Sequence, residues 1–226
     1  MSKGHTMYKT IVFDLDGTLL DTLDDLTDAT NAALDRVGLK RRTRDEVRAF
    51  VGNGIAKLIE RAVGEENMAL HAEALAEFKR YYAVHCADKT APYTGILSLL
   101  KALQAQGVKT AVVSNKADFA VKSLAENYFD GLLMAAVGEN EEAGIRKKPA
   151  PDSLLSVMEQ LSADKETTVY VGDSDVDIQT ANNAGVECIC VTWGFRDKDF
   201  LIKEGGRLFV DTPAEILTYT KGACTR

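Results

Sequence analysis

The stretch IVFDLDGTLLD, residues 11–21, decides the fold of this chain. Its first three residues are apolar and mostly β-branched, which is typical of a strand buried on both faces in the middle of a parallel sheet. Asp14 and Asp16 follow this strand two residues apart, so their side chains project from the same side of an extended backbone. Two carboxylates held so close need a cation between them or a proton on one of them. The stretch therefore indicates a divalent metal, a shared proton, or both.

The composition is that of an ordinary globular protein. The chain has 226 residues, of which 46% are hydrophobic and 27% are charged, enough for one large domain or a core with a smaller insert. No apolar run approaches the roughly 18 residues that a membrane span needs, and the N-terminus lacks a signal-peptide core, so we expect a cytoplasmic protein. The net charge of −7 argues against a general nucleic-acid surface. It does not exclude an anionic substrate, because a metal and one or two lysines can make a local positive pocket.

Residues of roughly 20 to 88 show only helical periodicity. Apolar residues recur at helical spacing over residues 23–37, and a capping-box sequence at Thr43 and Glu46 begins a second helix. A later helix is expected over about residues 66–87. Because helices alone follow a buried strand here, we predict an inserted all-helical cap domain formed by residues 20–88, called the predicted cap below.

After Pro92 the pattern changes to alternating strands and helices, with one strand expected near residues 132–137. Repeated αβ units of this kind build an open parallel sheet with helices on both faces. The sequence therefore predicts the α/β class, with a Rossmann-like parallel sheet core formed by residues 7–19 and 89–226.

Three apolar runs of the predicted core stop at polar residues. Asp14, Ser114 and Asp173 each end such a run, and Lys148 lies in the loop before the third run. In open parallel sheets, ligands bind outside the carboxyl ends of the strands. These four residues are therefore candidates for one site at that edge of the sheet.

Together these segments resemble the four motifs of the haloacid dehalogenase-like (HAD) phosphatase superfamily, in order and over nearly the whole chain. The resemblance implies that Asp14 is the nucleophile that becomes an aspartyl-phosphate. It implies that Asp16 protonates the leaving alkoxide and later takes a proton from the attacking water. It also implies that Asp14, Asp173 and the backbone carbonyl of Asp16 hold Mg²⁺, a hard cation that prefers oxygen ligands.

The resemblance assigns further residues to the phosphate group. Ser114 would hydrogen-bond one phosphate oxygen, and Lys148 would neutralise another as a point charge. The run SNK, residues 114–116, is similar to the second motif of phosphoglycolate phosphatases, so Asn115 is also a candidate phosphate-binding residue. Asp177 lies one helical turn beyond the metal-binding aspartate of the fourth motif. We expect it to be a metal ligand through water or a partner of Lys148.

The predicted cap resembles the helical cap of the phosphoglycolate phosphatase-like subgroup. The loop VGNG, residues 51–54, leads into a helix at the place where that subgroup reaches its substrate. Gly52, Asn53 and Gly54 are therefore candidate substrate-binding residues. The glycines would let backbone N–H groups and the helix N-terminus meet a small carboxylate, such as that of 2-phosphoglycolate. The other interpretation of this loop is a plain turn between helices.

Other residues near these motifs are expected to lie outside the site. We expect Lys57 and Arg61 to be solvated charges. We expect Asp175 to be a carboxylate at the start of a helix, and Lys147 to be a solvated neighbour of the motif lysine. The sequence leaves open whether residues 193–195, Trp-Gly-Phe, brace the rim of the site or pack in the core.

The motifs predict a Mg²⁺-dependent phosphatase that acts on a small phosphorylated metabolite, with 2-phosphoglycolate as the leading substrate. The aspartate at Asp16 disfavours the dehalogenase-like and phosphonate-cleaving members of the superfamily. A β-phosphoglucomutase-type phosphotransferase and a pyrophosphatase stay open. A non-catalytic phosphate- or metal-binding protein is disfavoured because all the motif residues are present. We expect no nucleic-acid or membrane partner, and a monomer or homodimer.

Overall fold

The computed structural model describes residues 7–140 and 144–220. The strands are β1 Thr10–Phe13, β2 Leu20–Asp21, β3 Ala91–Pro92, β4 Lys109–Ala117, β5 Ala135–Glu139, β6 Thr168–Gly172, β7 Glu187–Val191 and β8 Leu208–Val210. The α-helices are α1 Leu23–Arg36, α2 Arg44–Phe50, α3 Ile55–Val63, α4 His71–His85, α5 Ile96–Ala105, α6 Asp118–Phe129, α7 Asp152–Gln160, α8 Asp175–Ala184 and α9 Lys198–Lys203.

Six of the strands form one parallel sheet in the order β5-β4-β1-β6-β7-β8. Strand β1 lies in the middle, with Phe13 opposite Val112 of β4 and Val171 of β6. Its four residues are buried, as expected for a strand covered by helices on both faces. The predicted α/β class with a Rossmann-like parallel core is confirmed.

Parallel pairing brings the carboxyl ends of β1, β4 and β6 to one edge of the sheet. Asp14 directly follows β1, and Asp173 directly follows β6. Ser114 is the first of three consecutive polar residues near the end of β4. Strand β4 runs on to Ala117, with an irregular register against β5 between Val113 and Ala117. This irregular segment is where the second predicted motif lies.

The helices of the predicted cap pack around a hydrophobic cluster separate from those of the sheet, which includes Leu34, Ile59 and Phe78. The two chain segments that join these helices to the sheet, β2 and β3, pair with each other antiparallel. The division of the chain into two domains stays a prediction.

Of two local predictions in the predicted cap, one is confirmed and the other differs in detail. The capping box is present, since Glu46 N donates to Thr43 Oγ1 at 3.2 Å and Thr43 N donates to Glu46 Oε2 at 2.7 Å. The helix expected over residues 66–87 is divided into a 3₁₀ turn, Glu65–Leu70, and α4. Asn67 lies there with non-helical backbone angles and donates its side-chain amide to the carbonyl of Val63, so it completes the end of α3 instead of continuing a helix.

The strand expected near residues 132–137 begins later, at Ala135. Among the described residues, no helix is both long and apolar enough to cross a membrane.

Candidate active site

A cavity of about 50 Å³ lies between the carboxyl edge of the sheet and the helices of the predicted cap. Its polar lining comes from the predicted motifs and its apolar lining comes mainly from the cap helices. The lining residues are Asp14, Asp16, Leu26, Val51, Gly52, Gly54, Ile55, Leu58, Ser114, Asn115, Lys116, Asp173, Ser174, Phe195 and Arg196. The structure thus brings most of the predicted site residues to one cavity.

Lys148 is the cation at the centre of the buried charges. Its Nζ lies 3.0 Å from Asp14 Oδ1 and 2.7 Å from Asp177 Oδ1, and it donates to the Tyr170 hydroxyl at 2.9 Å. Lys148 is 4% exposed, so solvent screens these contacts little. Burial lowers the pKa of Lys148, but the neighbouring carboxylates and the tyrosine raise it well above its ordinary value. The lysine therefore stays charged, as phosphate neutralisation requires.

Asp173 is fixed by hydrogen bonds to both of its oxygens. Thr18 Oγ1 donates to Oδ1 at 3.1 Å, and the backbone N–H of Phe195 donates to Oδ2 at 2.7 Å. Gly17 makes this approach feasible, because its φ is +81° and a Cβ there would lie 2.4 Å from Asp173 Oδ2. Only glycine fits that backbone conformation at that distance.

Asp177 is engaged as a partner of its neighbours. Its Oδ2 accepts hydrogen bonds from Asp173 N at 3.1 Å, Ser174 N at 3.0 Å and Ser174 Oγ at 2.7 Å, while its Oδ1 faces Lys148. Of the two roles expected for Asp177, these contacts favour that of a partner of the lysine.

Burial makes the carboxylates hard to ionise without a cation. Loss of hydration, together with the charges of Asp177 and Asp14, raises the pKa of Asp173 to about 8. Loss of hydration also raises the pKa of Asp14 to about 6, although Lys148 opposes this rise. Carboxylates in such an environment favour binding of a cation.

The residues present fit a divalent metal. Oxygens of Asp14, Asp173 and Asp177 lie within 4.8 Å of one another, and all three residues are buried. Asp14 Oδ1 makes no hydrogen bond of good geometry, although Lys148 Nζ is close to it. A buried carboxylate oxygen without a hydrogen bond destabilises the fold unless it binds a ligand. An all-oxygen donor set of this kind suits a hard divalent cation.

Lys116 is a charged residue of the site that sequence reasoning missed. Its Nζ lies 2.8 Å from Asp16 Oδ1 and 3.0 Å from Asp16 Oδ2, and it also donates to the hydroxyl of Tyr82 on helix α4. Lys116 is 4% exposed. A signal was available, because Lys116 lies two residues after Ser114 in an extended strand, so the two side chains share a face.

The side-chain amide of Asn115 forms hydrogen bonds with the protein backbone through both its oxygen and its nitrogen. Its Oδ1 accepts from Lys148 N at 2.8 Å, and its Nδ2 donates to Lys148 O at 2.9 Å and to Gly52 O at 3.2 Å. The side chain thus positions the motif lysine and ties the cap loop, residues 51–54, to the sheet. Its predicted contact with phosphate stays a prediction.

The cap loop reaches the cavity through Gly52 and Gly54. The side chain of Asn53 instead accepts a hydrogen bond from Arg61 Nη2 at 2.9 Å, and Arg61 Nη1 donates to Phe50 O at 2.6 Å. The expectation that Arg61 is a solvated charge is therefore wrong, because the backbone carbonyl of Phe50 and the side-chain amide oxygen of Asn53 accept its hydrogen bonds. Lys57 on the same helix pairs with Glu60 at the surface.

Two neighbouring charges also have partners. Lys147 is partly exposed and its Nζ lies 3.9 Å from Glu139 Oε1, so its solvation stays a prediction. Asp175 begins helix α8 as expected, and its Oδ1 lies 4.0 Å from Arg196 Nε.

Comparisons with known proteins agree with this geometry. The family model of haloacid dehalogenase-like hydrolases matches residues 11–191. The phosphoglycolate phosphatase of Pseudomonas syringae pv. syringae is 33% identical over 209 residues, covering 90% of this chain and 76% of that protein. The phosphoglycolate phosphatase of Aquifex aeolicus is 32% identical over 192 residues, covering 83% of this chain and 86% of that protein.

A solved structure of a candidate phosphoglycolate phosphatase from Lactobacillus delbrueckii subsp. bulgaricus superposes with a TM-score of 0.89 and 39% identity, covering 96% of this chain and 99% of that one. The sheet, the motif residues at its carboxyl edge and these matches lead to one conclusion. The chain belongs to the haloacid dehalogenase-like hydrolase family and is a phosphatase of that family.

Proposed function

We propose that this protein is a Mg²⁺-dependent phosphatase that hydrolyses a small phosphomonoester, with 2-phosphoglycolate as the leading substrate, through an aspartyl-phosphate on Asp14. The observation that carries the proposal is the buried Asp14 carboxylate. One of its oxygens makes no hydrogen bond of good geometry, and Lys148 Nζ is 3.0 Å away. A carboxylate that lines a cavity beside a fixed cation is suited to attack phosphorus.

Asp14 forms a bond to phosphorus as the bond from phosphorus to the leaving oxygen breaks. Lys148 and Ser114 stabilise the charge on the phosphoryl oxygens during this transfer, and Ser114 lines the same cavity. Water then attacks the phosphorus of the aspartyl-phosphate, and the carboxylate of Asp14 is regenerated.

Asp16 transfers the protons in both steps. Its carboxyl group protonates the leaving alkoxide and afterwards accepts a proton from the attacking water. Lys116 contacts both oxygens of this carboxylate, and so it fixes the side chain in position. The lysine must release one of these oxygens when Asp16 carries the proton.

Asp14, Asp173 and the backbone carbonyl of Asp16 would hold Mg²⁺. When bound, the ion neutralises phosphoryl charge. Asp177 holds Lys148 in place and is not needed as a direct ligand, since both of its oxygens already have partners.

The predicted cap, residues 20–88, would exclude water and select the substrate. The cavity is small, about 50 Å³, which favours a small leaving group. The apolar lining by Leu26, Leu58 and Phe195 offers few partners to the hydroxyl groups of a sugar. These features favour 2-phosphoglycolate over the sugar phosphates of a β-phosphoglucomutase-type reaction. The relatives named phosphoglycolate phosphatase support the same choice.

The test is steady-state phosphate release with Mg²⁺ on 2-phosphoglycolate, pyrophosphate, sugar phosphates and nucleotides. We expect kcat/KM for 2-phosphoglycolate to exceed that for every other compound by two or more decades. Equal, low values across the panel would contradict the substrate. Conversion of β-glucose 1-phosphate to glucose 6-phosphate without phosphate release would replace the hydrolase with a mutase.

A further inference from the structure

The loop between β7 and α9, residues 192–197, contacts both Asp173 and the predicted cap. It contains the Trp-Gly-Phe run whose role the sequence leaves open. We refer to it as the β7–α9 loop.

One side of the β7–α9 loop packs against the aspartate cluster. The backbone N–H of Phe195 donates to Asp173 Oδ2 at 2.7 Å, and Trp193 Nε1 donates to Thr18 O at 3.0 Å. At Gly194 a Cβ would lie 2.2 Å from Asp173 Cβ, so no side chain fits between the loop and this aspartate. A displacement of the loop backbone therefore changes the surroundings of the Asp173 carboxylate directly.

The other side of the β7–α9 loop contacts the helices of the predicted cap. The ring of Phe195 is buried in the hydrophobic cluster of those helices and not in a cluster of the sheet. Arg196 Nη1 donates to Arg48 O at 2.8 Å, and Arg196 Nη2 donates to Val51 O at 2.7 Å. The last carbonyls of a helix lack partners within the helix. A guanidinium at the end of α2 therefore supplies hydrogen bonds to them and also interacts favourably with the helix dipole.

A second arginine contacts the loop from the opposite direction. Arg48 Nη2 on α2 donates to Gly194 O at 3.4 Å and to Asp197 Oδ1 at 3.2 Å. Arg48 is more exposed and its contacts are longer than those of Arg196. Arg196 is therefore the stronger of the two links.

We propose that Arg196 is a positioning residue that joins closure of the cap to the placement of Asp173, through the β7–α9 loop. This rests on the proposed function in so far as the cap closes over a substrate. With the cap closed, Arg196 binds the carbonyls of Arg48 and Val51, and the anchored loop presents the Phe195 N–H to Asp173. With the cap open, Arg196 and the Phe195 ring lose these partners, and the hydrogen bond to Asp173 loses its support. Metal binding and cap closure then favour each other.

The test is the affinity for Mg²⁺ in the absence of any substrate, measured by calorimetry on the full chain. Arg196→Met removes the guanidinium and keeps most of the apolar stem. A hydrogen-bond partner of a metal ligand contributes roughly 10- to 100-fold to affinity, and Arg196 acts one contact further away. We therefore expect the Kd for Mg²⁺ to rise roughly three- to tenfold. Arg41→Met is the matched control, because Arg41 forms an exposed pair with Asp35, and its Kd should stay at the wild-type value.

Trp193 is the only tryptophan of the chain, so its fluorescence reports on the loop itself. Quenching by acrylamide should increase in Arg196→Met and should stay unchanged in Arg41→Met. At saturating Mg²⁺ we expect kcat of Arg196→Met to recover while KM stays raised, because the cap loop has lost a contact that metal does not replace.

A Kd within twofold of wild type together with unchanged quenching would overturn the proposal. If Arg196→Met does not fold, Arg196→Lys takes its place. Lysine keeps the charge but cannot bind two carbonyls in a fixed fork, so a smaller rise in Kd is expected, and wild-type affinity overturns the proposal. Neither binding nor quenching requires turnover. If the wild type lacks the proposed phosphatase activity, Mg²⁺ affinity and quenching still test this inference, so the two failures are distinguishable.

Discussion

The aspartate cluster at the sheet edge and the cap loop are held by different kinds of contact. In the cluster, charged side chains contact one another, with Lys148 between Asp14 and Asp177. In the cap loop, long polar side chains contact backbone carbonyls, as Arg196 does at Val51. Both regions line or adjoin the same cavity.

The difference predicts how each region responds to substitution. A buried charge that loses its partner stays buried and uncompensated, which is expensive. A loop carbonyl near the surface that loses its donor can accept a hydrogen bond from water instead, so the loss of stability is smaller. We therefore expect large, charge-dependent effects in the cluster and small, graded effects in the cap loop.

The largest effect is expected at the nucleophile. Asp14→Asn keeps the shape of the side chain and removes its charge, so turnover should fall by about three decades or more while the fold is kept. Phosphate release and circular dichroism measure the two quantities. Activity surviving at about a tenth of wild type would remove Asp14 from the role of nucleophile.

The next effect concerns the acid that assists the leaving group. Asp16→Ala should slow hydrolysis of an alkyl phosphate by roughly 10²- to 10⁴-fold. It should slow a nitrophenyl phosphate much less, because nitrophenolate leaves without a proton. Comparing kcat/KM for the two esters gives the answer, and an equal loss on both would argue against proton transfer by Asp16.

The stability of the cluster depends on its cation. Lys148→Met leaves Asp14 and Asp177 without their buried partner, so the free energy of unfolding should fall by roughly 3 kcal/mol. Urea denaturation without metal measures this change. Lys147→Met is the control next to it in the chain, and equal destabilisation by both variants would contradict the difference between the cluster and its surroundings.

The cluster should also make metal stabilisation depend on pH. The pKa of Asp173 is raised from its ordinary 3.8 to about 8, so this group stabilises the metal-free fold below pH 4 and loses that contribution as pH rises through 8. Mg²⁺ binds the ionised form, so the rise in Tm that saturating Mg²⁺ produces should grow between pH 6 and pH 8. Thermal unfolding of Asp173→Asn, which lacks the ionisable group, should show neither the rise nor its pH dependence. A rise in Tm that is constant over this range in the wild type would be inconsistent with the burial of Asp173.

The smallest effect is expected in the cap loop. Arg61→Met removes the donors to Phe50 O and Asn53 Oδ1 and should cost about 1 kcal/mol of stability. KM should rise a few-fold with little change in kcat, as expected for a loop that only positions. Lys57→Met, on the same helix and paired at the surface, should leave both constants unchanged. A fall in kcat as large as that of Asp16→Ala would indicate that Arg61 takes part in the reaction, and would contradict the distinction between the two regions.

The sequence by itself determined the sheet and the cluster at its edge. Apolar runs that end in Asp14, Ser114 and Asp173 are local signals, and parallel pairing of the strands necessarily brings their ends together. Gly17 belongs to the same local signal, since only glycine permits the close approach to Asp173.

Only the tertiary structure decided which long polar side chains hold the site in place. Lys116 contacts Asp16 across 100 residues of sequence, and Arg196 contacts Val51 across 145. The spacing from Ser114 indicates only which face of β4 Lys116 shares. The acceptor that each long side chain binds leaves no pattern in the sequence, because a lysine or arginine can reach in several directions and every residue offers a backbone carbonyl. The packing of the cap helices against the sheet selects among these acceptors, and so the contacts of the cap loop could not be predicted from the sequence.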